Sequence, residues 1–313
     1  MFLSSRVDAM TTTVTNVEVL RSVRTLLAES IDYAGLFPPS AVSMADAVIN
    51  YATYRNSNYS WMLGRFVVTA ARLDEFYESA SDFVSRDANS EWHLSIVAGE
   101  DIGDTIRRIE QFTATSHGVI IDSVEVRANS TSKIKNTVEQ LPKGVTAYFE
   151  LPLGEELPDL IADVSLAGGR AKIRTGGVTP DVFPTSKDII RFVRGCLAAN
   201  VPFKATAGLH HPLRCFKPLT YEENSVQSTM HGFLNLFLMT GMAREGFRQT
   251  LLEEVMEEEF SEVFHFEDQS AAWREQYSLN IWQIENSRKQ GIQSFGSCSF
   301  DEPIADLRQL GIL

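Results

Sequence analysis

The feature that most restricts the fold is a repeat of pattern rather than of residues. Short runs rich in apolar and β-branched residues recur along the chain: WMLGRFVVTA (61–70), EWHLSIVAG (91–99), GVIIDSVEVRA (118–128), GVTAYFELPL (144–153), GRAKIRTGG (169–177) and VPFKATAGL (201–209). Helical sequence separates them, with apolar residues three and four apart, as in LDEFYESASDFVSR and SKDIIRFVRGCLAAN. A period of roughly 25–30 residues is that of a βα unit. HGFLNLFLMTG (231–241) reads as a seventh strand, although a largely apolar run without a break also suits a helix. IQSFGSCSF (292–300) reads as an eighth, and DEPIADLRQLGIL as a closing helix capped by Asp301. Eight strands, each followed by helical sequence over about 250 residues, predict a (β/α)8 barrel of TIM type. An open doubly wound α/β sheet is the alternative.

The pattern sets the domain organisation. Residues 1–14 read as a loose tail, and residues 15–313 as a single barrel domain. Two N-terminal helices precede the first strand, one over residues 16–30 with Asn16 as cap and one, MADAVINYATYR, capped by Ser43. Between them lies IDYAGLFPPS, where Pro38-Pro39 stops any helix. This 31–39 loop reads as a plug over one end of the core; a sharper reading has Asp32 and Tyr33 reaching a ligand site. Residues 251–290, between the seventh and eighth strands, read as an acidic helical insertion whose charges form a solvated face.

Composition excludes several classes. The formal charge of −13 argues against a general nucleic-acid-binding surface, which needs a basic footprint. The three cysteines form no CxxC pair, so neither a disulfide framework nor a cysteine zinc site is indicated. No apolar run approaches a membrane helix, and the first residues lack the apolar core of a signal peptide. There is no GxGxxG turn and no GxxxxGK[ST] loop for a nucleotide. The expectation is a cytoplasmic protein with a small-molecule substrate, no membrane or nucleic-acid partner, and room for homo-oligomers.

Two strands carry a lysine at the same place, Ala-Lys172-Ile-Arg-Thr-Gly and Phe-Lys204-Ala-Thr-Ala-Gly. A lysine inside a strand of this kind is costly unless paired or used. In a barrel, alternate residues point inward and active sites lie at the C-terminal strand ends. That parity gathers Glu125, Arg127, Tyr148, Glu150, Lys172, Arg174, Lys204 and Thr206, with Arg65 and Asn235 as further members. A buried ion-pair network explains part of this charge; a site for a polar or anionic small molecule explains its position at the strand ends. Lys204, desolvated and near Lys172 or Arg174, is expected to have a lowered pKa and to form a Schiff base with a carbonyl. Lys172 is then the pKa-lowering neighbour, and Glu150 or Tyr148 the acid/base. This placement resembles that of class I aldolases built on (β/α)8 barrels, several of which carry their Schiff-base lysine on the sixth strand. The resemblance rests on Lys204 and the expected fold; it implies lyase chemistry with no cofactor. Arg174 and Arg214 are candidate anion clamps. Glu125, Arg127 and Asn235 are candidate substrate contacts, and Gly296 and Ser297 offer backbone N–H groups, although Asp301 and Glu302 nearby disfavour phosphate. Cys298 is either a reactive thiol at a helix N-terminus or a packed small residue.

His210-His211 supports a different mechanism. One of them, with His231, Glu150 or Glu125, would make a histidine/carboxylate site for a divalent metal, and with it a metal-dependent hydrolase or isomerase. A third reading is a non-catalytic ligand-binding or assembly protein, using the 31–39 loop and the Trp273–Trp282 segment as a partner surface.

Overall fold

The computed structural model describes residues 19–84 and 91–313, so the 1–14 segment and Asn16 lie outside the described residues. In chain order, α1 (Arg21–Leu27) leads into β1 (Ile31–Tyr33), α2 (Met44–Arg55), β2 (Leu63–Thr69), α3 (Leu73–Ala80) and β3 (Trp92–Val97). Then follow α4 (Ile102–Thr115), β4 (Val119–Arg127), α5 (Thr131–Gln140), β5 (Thr146–Glu150), α6 (Leu157–Leu166), β6 (Arg170–Arg174), α7 (Ser186–Ala198) and β7 (Phe203–Thr206). A hairpin of β8 (Cys215–Pro218) and β9 (Gln227–Met230) precedes α8 (Phe233–Arg244) and α9 (Gln249–Met256). A three-stranded antiparallel sheet of β10 (Phe264–Glu267), β11 (Ser270–Trp273) and β12 (Tyr277–Asn280) comes next, then α10 (Ile281–Gln290), β13 (Ile292–Ser297) and α11 (Asp301–Gln309). β1 through β7 and β13 are parallel and close on one another, β13 pairing with both β7 and β1. This is the (β/α)8 barrel expected. Among the described residues, no helix is long and apolar enough to cross a membrane.

Four features differ from the sequence expectation. First, the barrel begins in the segment read as a plug: β1 is Ile31–Tyr33, and the strand at 61–70 is second. A three-residue strand is too short to show a period. All three residues are buried, Asp32 reaching Lys204 inside the barrel while Tyr33 packs outward. Tyr33 joins an aromatic cluster with Tyr51 of α2 and Phe66 of β2, its ring 5.9 Å from that of Phe66. The helix α2, capped by Ser43 as expected, therefore belongs to the first βα unit, and among the described residues only α1 precedes the barrel.

Second, residues 231–241 form helix α8, not the seventh strand. Every residue from Phe233 to Met242 is buried, so the run shows no polar stripe. Phe233 stacks on Phe295 of β13 with centroids 4.8 Å apart, and α9 and α10 cover the other sides. β7 is consequently the strand of Lys204, and β6 the strand of Lys172. Third, the 251–290 segment is α-helical only at its ends; Phe264–Asn280 forms the antiparallel sheet. Fourth, at the C-terminus Asp301 does not cap α11 but lies in its first turn, accepting from Tyr54 Oη at 2.9 Å. The free N–H of Glu302 donates to Ser299 Oγ instead.

Two backbone positions fix the interior. The hydrogen on Gly64 that a Cβ would replace points at Asp32, and that Cβ would stand 2.4 Å from Oδ1. The carboxylate is held by other partners and has no room to give. Gly64→Ala is therefore expected to cost about 1–3 kcal/mol, read as a lower urea midpoint. After β7, Ala207 and Gly208 take positive φ values of 63° and 75°, and a Cβ on Gly208 would meet Gly176 Cα at 2.8 Å. The loops after β6 and β7 thus touch, and the turn directs the chain to His210 at the barrel mouth.

Candidate active site

Inward side chains of seven strands meet in one ion-paired cluster. Lys204 Nζ on β7 lies 2.9 Å from Asp32 Oδ2 on β1 and 2.5 Å from Glu125 Oε1 on β4. Ser95 Oγ on β3 is 3.3 Å from the same nitrogen, and the Tyr148 ring centroid lies 5.0 Å away. Asp32 accepts further bonds from Ser294 Oγ on β13 and from the Arg65 backbone N–H. The side chain of Lys204 is 2% exposed and that of Asp32 fully buried. Burial disfavours the ammonium, but the attraction of Asp32 and Glu125 outweighs it, so the pKa of Lys204 is raised. This corrects the expectation of a lowered value: the neighbours that decide it are two carboxylates, one supplied by the strand that sequence pattern does not reveal.

Lys172 on β6 is the register partner of Lys204. Its Nζ lies 2.7 Å from Glu125 Oε2 and 2.8 Å from Glu150 Oε2 on β5. Glu125 therefore bridges the two lysines, one through each oxygen. Glu150 is shared as well, with Arg174 at 3.3 Å and Arg127 at 3.7 Å. Both carboxylates are lowered below the usual range: burial opposes the shift, and Lys172 is the largest favourable cause in each. Within this inner cluster Lys172, Lys204, Arg127 and Arg174 face Asp32, Glu125 and Glu150, so cations outnumber carboxylates.

A cavity of about 540 Å³ opens above this cluster at the C-terminal ends of the strands. Lys172, Glu125 and Glu150 form its floor, with Arg127, Arg174 and Lys133 on one side and His210, Gly296 and Cys298 on the other; Lys204 does not line it. An outer recess shares Arg127, Arg174 and Lys133 and runs toward Pro184. The Arg127 side chain is 80% exposed, so its guanidinium is available to an anionic group.

Several residues expected at the site are elsewhere. Arg214 pairs with Glu259, away from the cavity. Asn235 is fully buried on α8, where its amide accepts from Arg214 N–H and donates to the Val255 and Glu258 carbonyls; it joins α8 to its neighbours. Ser297 Oγ accepts from Ser299 N–H, while Gly296 does line the cavity. The metal alternative is not brought together: His211 pairs with Asp306 at 2.6 Å, His231 bonds the Pro184 carbonyl at 2.8 Å, and Glu150 is held by Lys172. Among the described residues, no three His, Cys, Asp or Glu converge as a ligand set. Sequence reasoning underused Asp32 and missed Ser95 and Ser294; the polar residue inside the IDY triplet was the available signal for the first.

The lowered carboxylates make stability depend on acid. A carboxylate whose native pKa is depressed adds stability that is complete above its unfolded value, about 4.3 for glutamate, and is lost as pH falls through the native value. Glu125, Glu150 and Asp122 all shift this way. Urea unfolding is thus expected to show a midpoint that holds between pH 7 and 5 and falls steeply below pH 4.

No family model matches the chain, and no curated protein matches it.

Proposed function

We propose that this barrel is an enzyme acting on a small polar or anionic carbonyl compound, a lyase of aldolase type whose nucleophile is the Lys172 amine. The observation that carries the reading is the position of that ammonium. It is buried on the sixth barrel strand, it faces the mouth cavity, and it lies between two carboxylates already shared with other cations. Counted from β1, the sixth-strand lysine on which the likeness to class I aldolases rests is Lys172, not Lys204.

The chemistry follows from the contacts. Glu150 takes a proton from Lys172, which leaves Glu125 paired with Lys204 and the now neutral Glu150 beside Arg174. The free amine adds to the carbonyl carbon, and Glu150 returns the proton to the departing oxygen, which leaves as water. Glu150, a carboxylate again, takes the proton of the β-hydroxyl; that oxygen becomes the carbonyl of the departing aldehyde, the Cα–Cβ bond breaks, and its electron pair passes into an enamine that is reprotonated at Cα and hydrolysed by water to free Lys172. Arg127, Arg174 and Lys133 supply the charge that would orient an anionic substrate group. Lys204 positions Glu125 and keeps a fixed positive charge beneath the site.

The test is deuterium exchange at the carbon beside the carbonyl, followed by nuclear magnetic resonance over a panel of hydroxyaldehydes and keto acids. Exchange with at least one compound by the wild-type protein, absent in Lys172→Met, is the expected result. Equal exchange by both proteins would end the proposal.

A further inference from the structure

The wall of the cavity opposite Lys172 carries a second group of reactive side chains. Cys298 Sγ, just past β13, lies 3.8 Å from His210 Nδ1. The same nitrogen is 3.3 Å from Glu302 Oε2 in the first turn of α11. Tyr221 Oη reaches both, at 3.8 Å from Sγ and 3.1 Å from Glu302 Oε2. Cys298 faces the mouth cavity on one side and a recess of about 400 Å³, lined by Tyr33, Ser40 and Tyr54, on the other. The other two cysteines have no such company: Cys196 is fully buried on α7, and Cys215 lies on the β8–β9 hairpin.

We infer that Cys298, His210 and Glu302 form a second nucleophilic centre that captures an aldehyde as a thiohemiacetal on the wall facing Lys172. The sulfur of the thiolate adds to the aldehyde carbon and a C–S bond forms. The π pair of the carbonyl moves to oxygen, which takes the proton of the His210 imidazolium, leaving the imidazole neutral. No oxidant or cofactor enters the balance, and the step reverses by the same route. Glu302 shares the Nδ1 side of the ring with Cys298, and its charge stabilises the imidazolium before the addition. The charge states agree with this geometry. Burial opposes the charge on His210, yet Cys298 and Glu302 raise its pKa to about 9, and His210 in turn lowers the thiol of Cys298 against burial. Cys215 is pushed up by burial to about 11, and Cys196 is also raised by burial. The inference shares the carbonyl class proposed above but does not need Lys172 to react.

The experiment is alkylation by iodoacetamide at pH 7, with each cysteine followed by peptide mass spectrometry, in the presence and absence of glycolaldehyde. Cys298 is expected to label first, ahead of Cys215 and Cys196. His210→Ala is expected to slow that labelling about tenfold, as one unit of thiol pKa would; Glu302→Gln, which keeps the imidazole, provides a milder slowing should the first variant not fold. Glycolaldehyde is expected to protect Cys298 equally in the wild-type protein and in Lys172→Met. Labelling of Cys215 as fast as Cys298, or a rate indifferent to both variants, would overturn the inference. So would protection that disappears in Lys172→Met, which would leave the amine as the sole carbonyl trap. Protection without any deuterium exchange would instead count against the lysine reading alone.

Discussion

Lys172→Met is expected to lower turnover by about a thousandfold or more while leaving the barrel folded, because a covalent nucleophile acts as a unit with its acid/base and has no substitute when removed. The loss should fall on kcat, with substrate binding largely kept, since Arg127, Arg174 and Lys133 remain on the cavity wall. The fold survives because neither carboxylate is orphaned: Glu125 keeps Lys204 at 2.5 Å, and Glu150 keeps Arg174 at 3.3 Å. Lys172→Arg is the sharper control. It retains a cation between Glu125 and Glu150 but has no amine that can form an imine, so it should be as inactive as the methionine variant. Steady-state kinetics on a substrate found by the exchange screen, with circular dichroism as the check on folding, measures both effects.

Lys204→Met is expected to act in the opposite way, chiefly on stability. Asp32 is fully buried, and apart from Lys204 it is held by the Ser294 hydroxyl and a backbone N–H. Taking away one partner of a buried pair leaves an uncompensated charge and costs about 3–5 kcal/mol. Asp32→Asn added to Lys204→Met removes that orphan and should recover part of the loss in urea unfolding. Were Lys204 a free amine awaiting substrate, its replacement would move stability by no more than about 1 kcal/mol. On this account the two lysines, alike in their sequence setting, separate into one proposed to react and one that holds the ion pairs beneath it.

The barrel was legible because strands two to seven and the last strand stand out as apolar, β-branched runs and, up to the seventh, are separated by helical sequence with apolar stripes. Helix α8 and strand β1 were not, for opposite reasons. Buried on every side, α8 carries no polar face to mark its period, and β1 spans three residues, too few for any period. Missing β1 shifted the strand count by one, and with it the lysine matched to the sixth strand. The charged interior was legible residue by residue from strand parity: Glu125, Glu150, Lys172 and Lys204 all meet. Their pairing was not, since which lysine faces the cavity depends on depth along the barrel axis, and that is set by the stagger of the strands. Arg214 was drawn to the site by its place in the loop after Lys204, and Asn235 by the inward parity of a strand that is in fact helix α8; the chain after β7 leaves the mouth through the hairpin and α8.

The most direct measurement is borohydride reduction of the protein with a carbonyl substrate, followed by peptide mapping of the added mass. The expected result is a single adduct on the peptide containing Lys172, with Lys204 unmodified. An adduct on Lys204, or an adduct that persists in Lys172→Met at another lysine, would contradict the assignment.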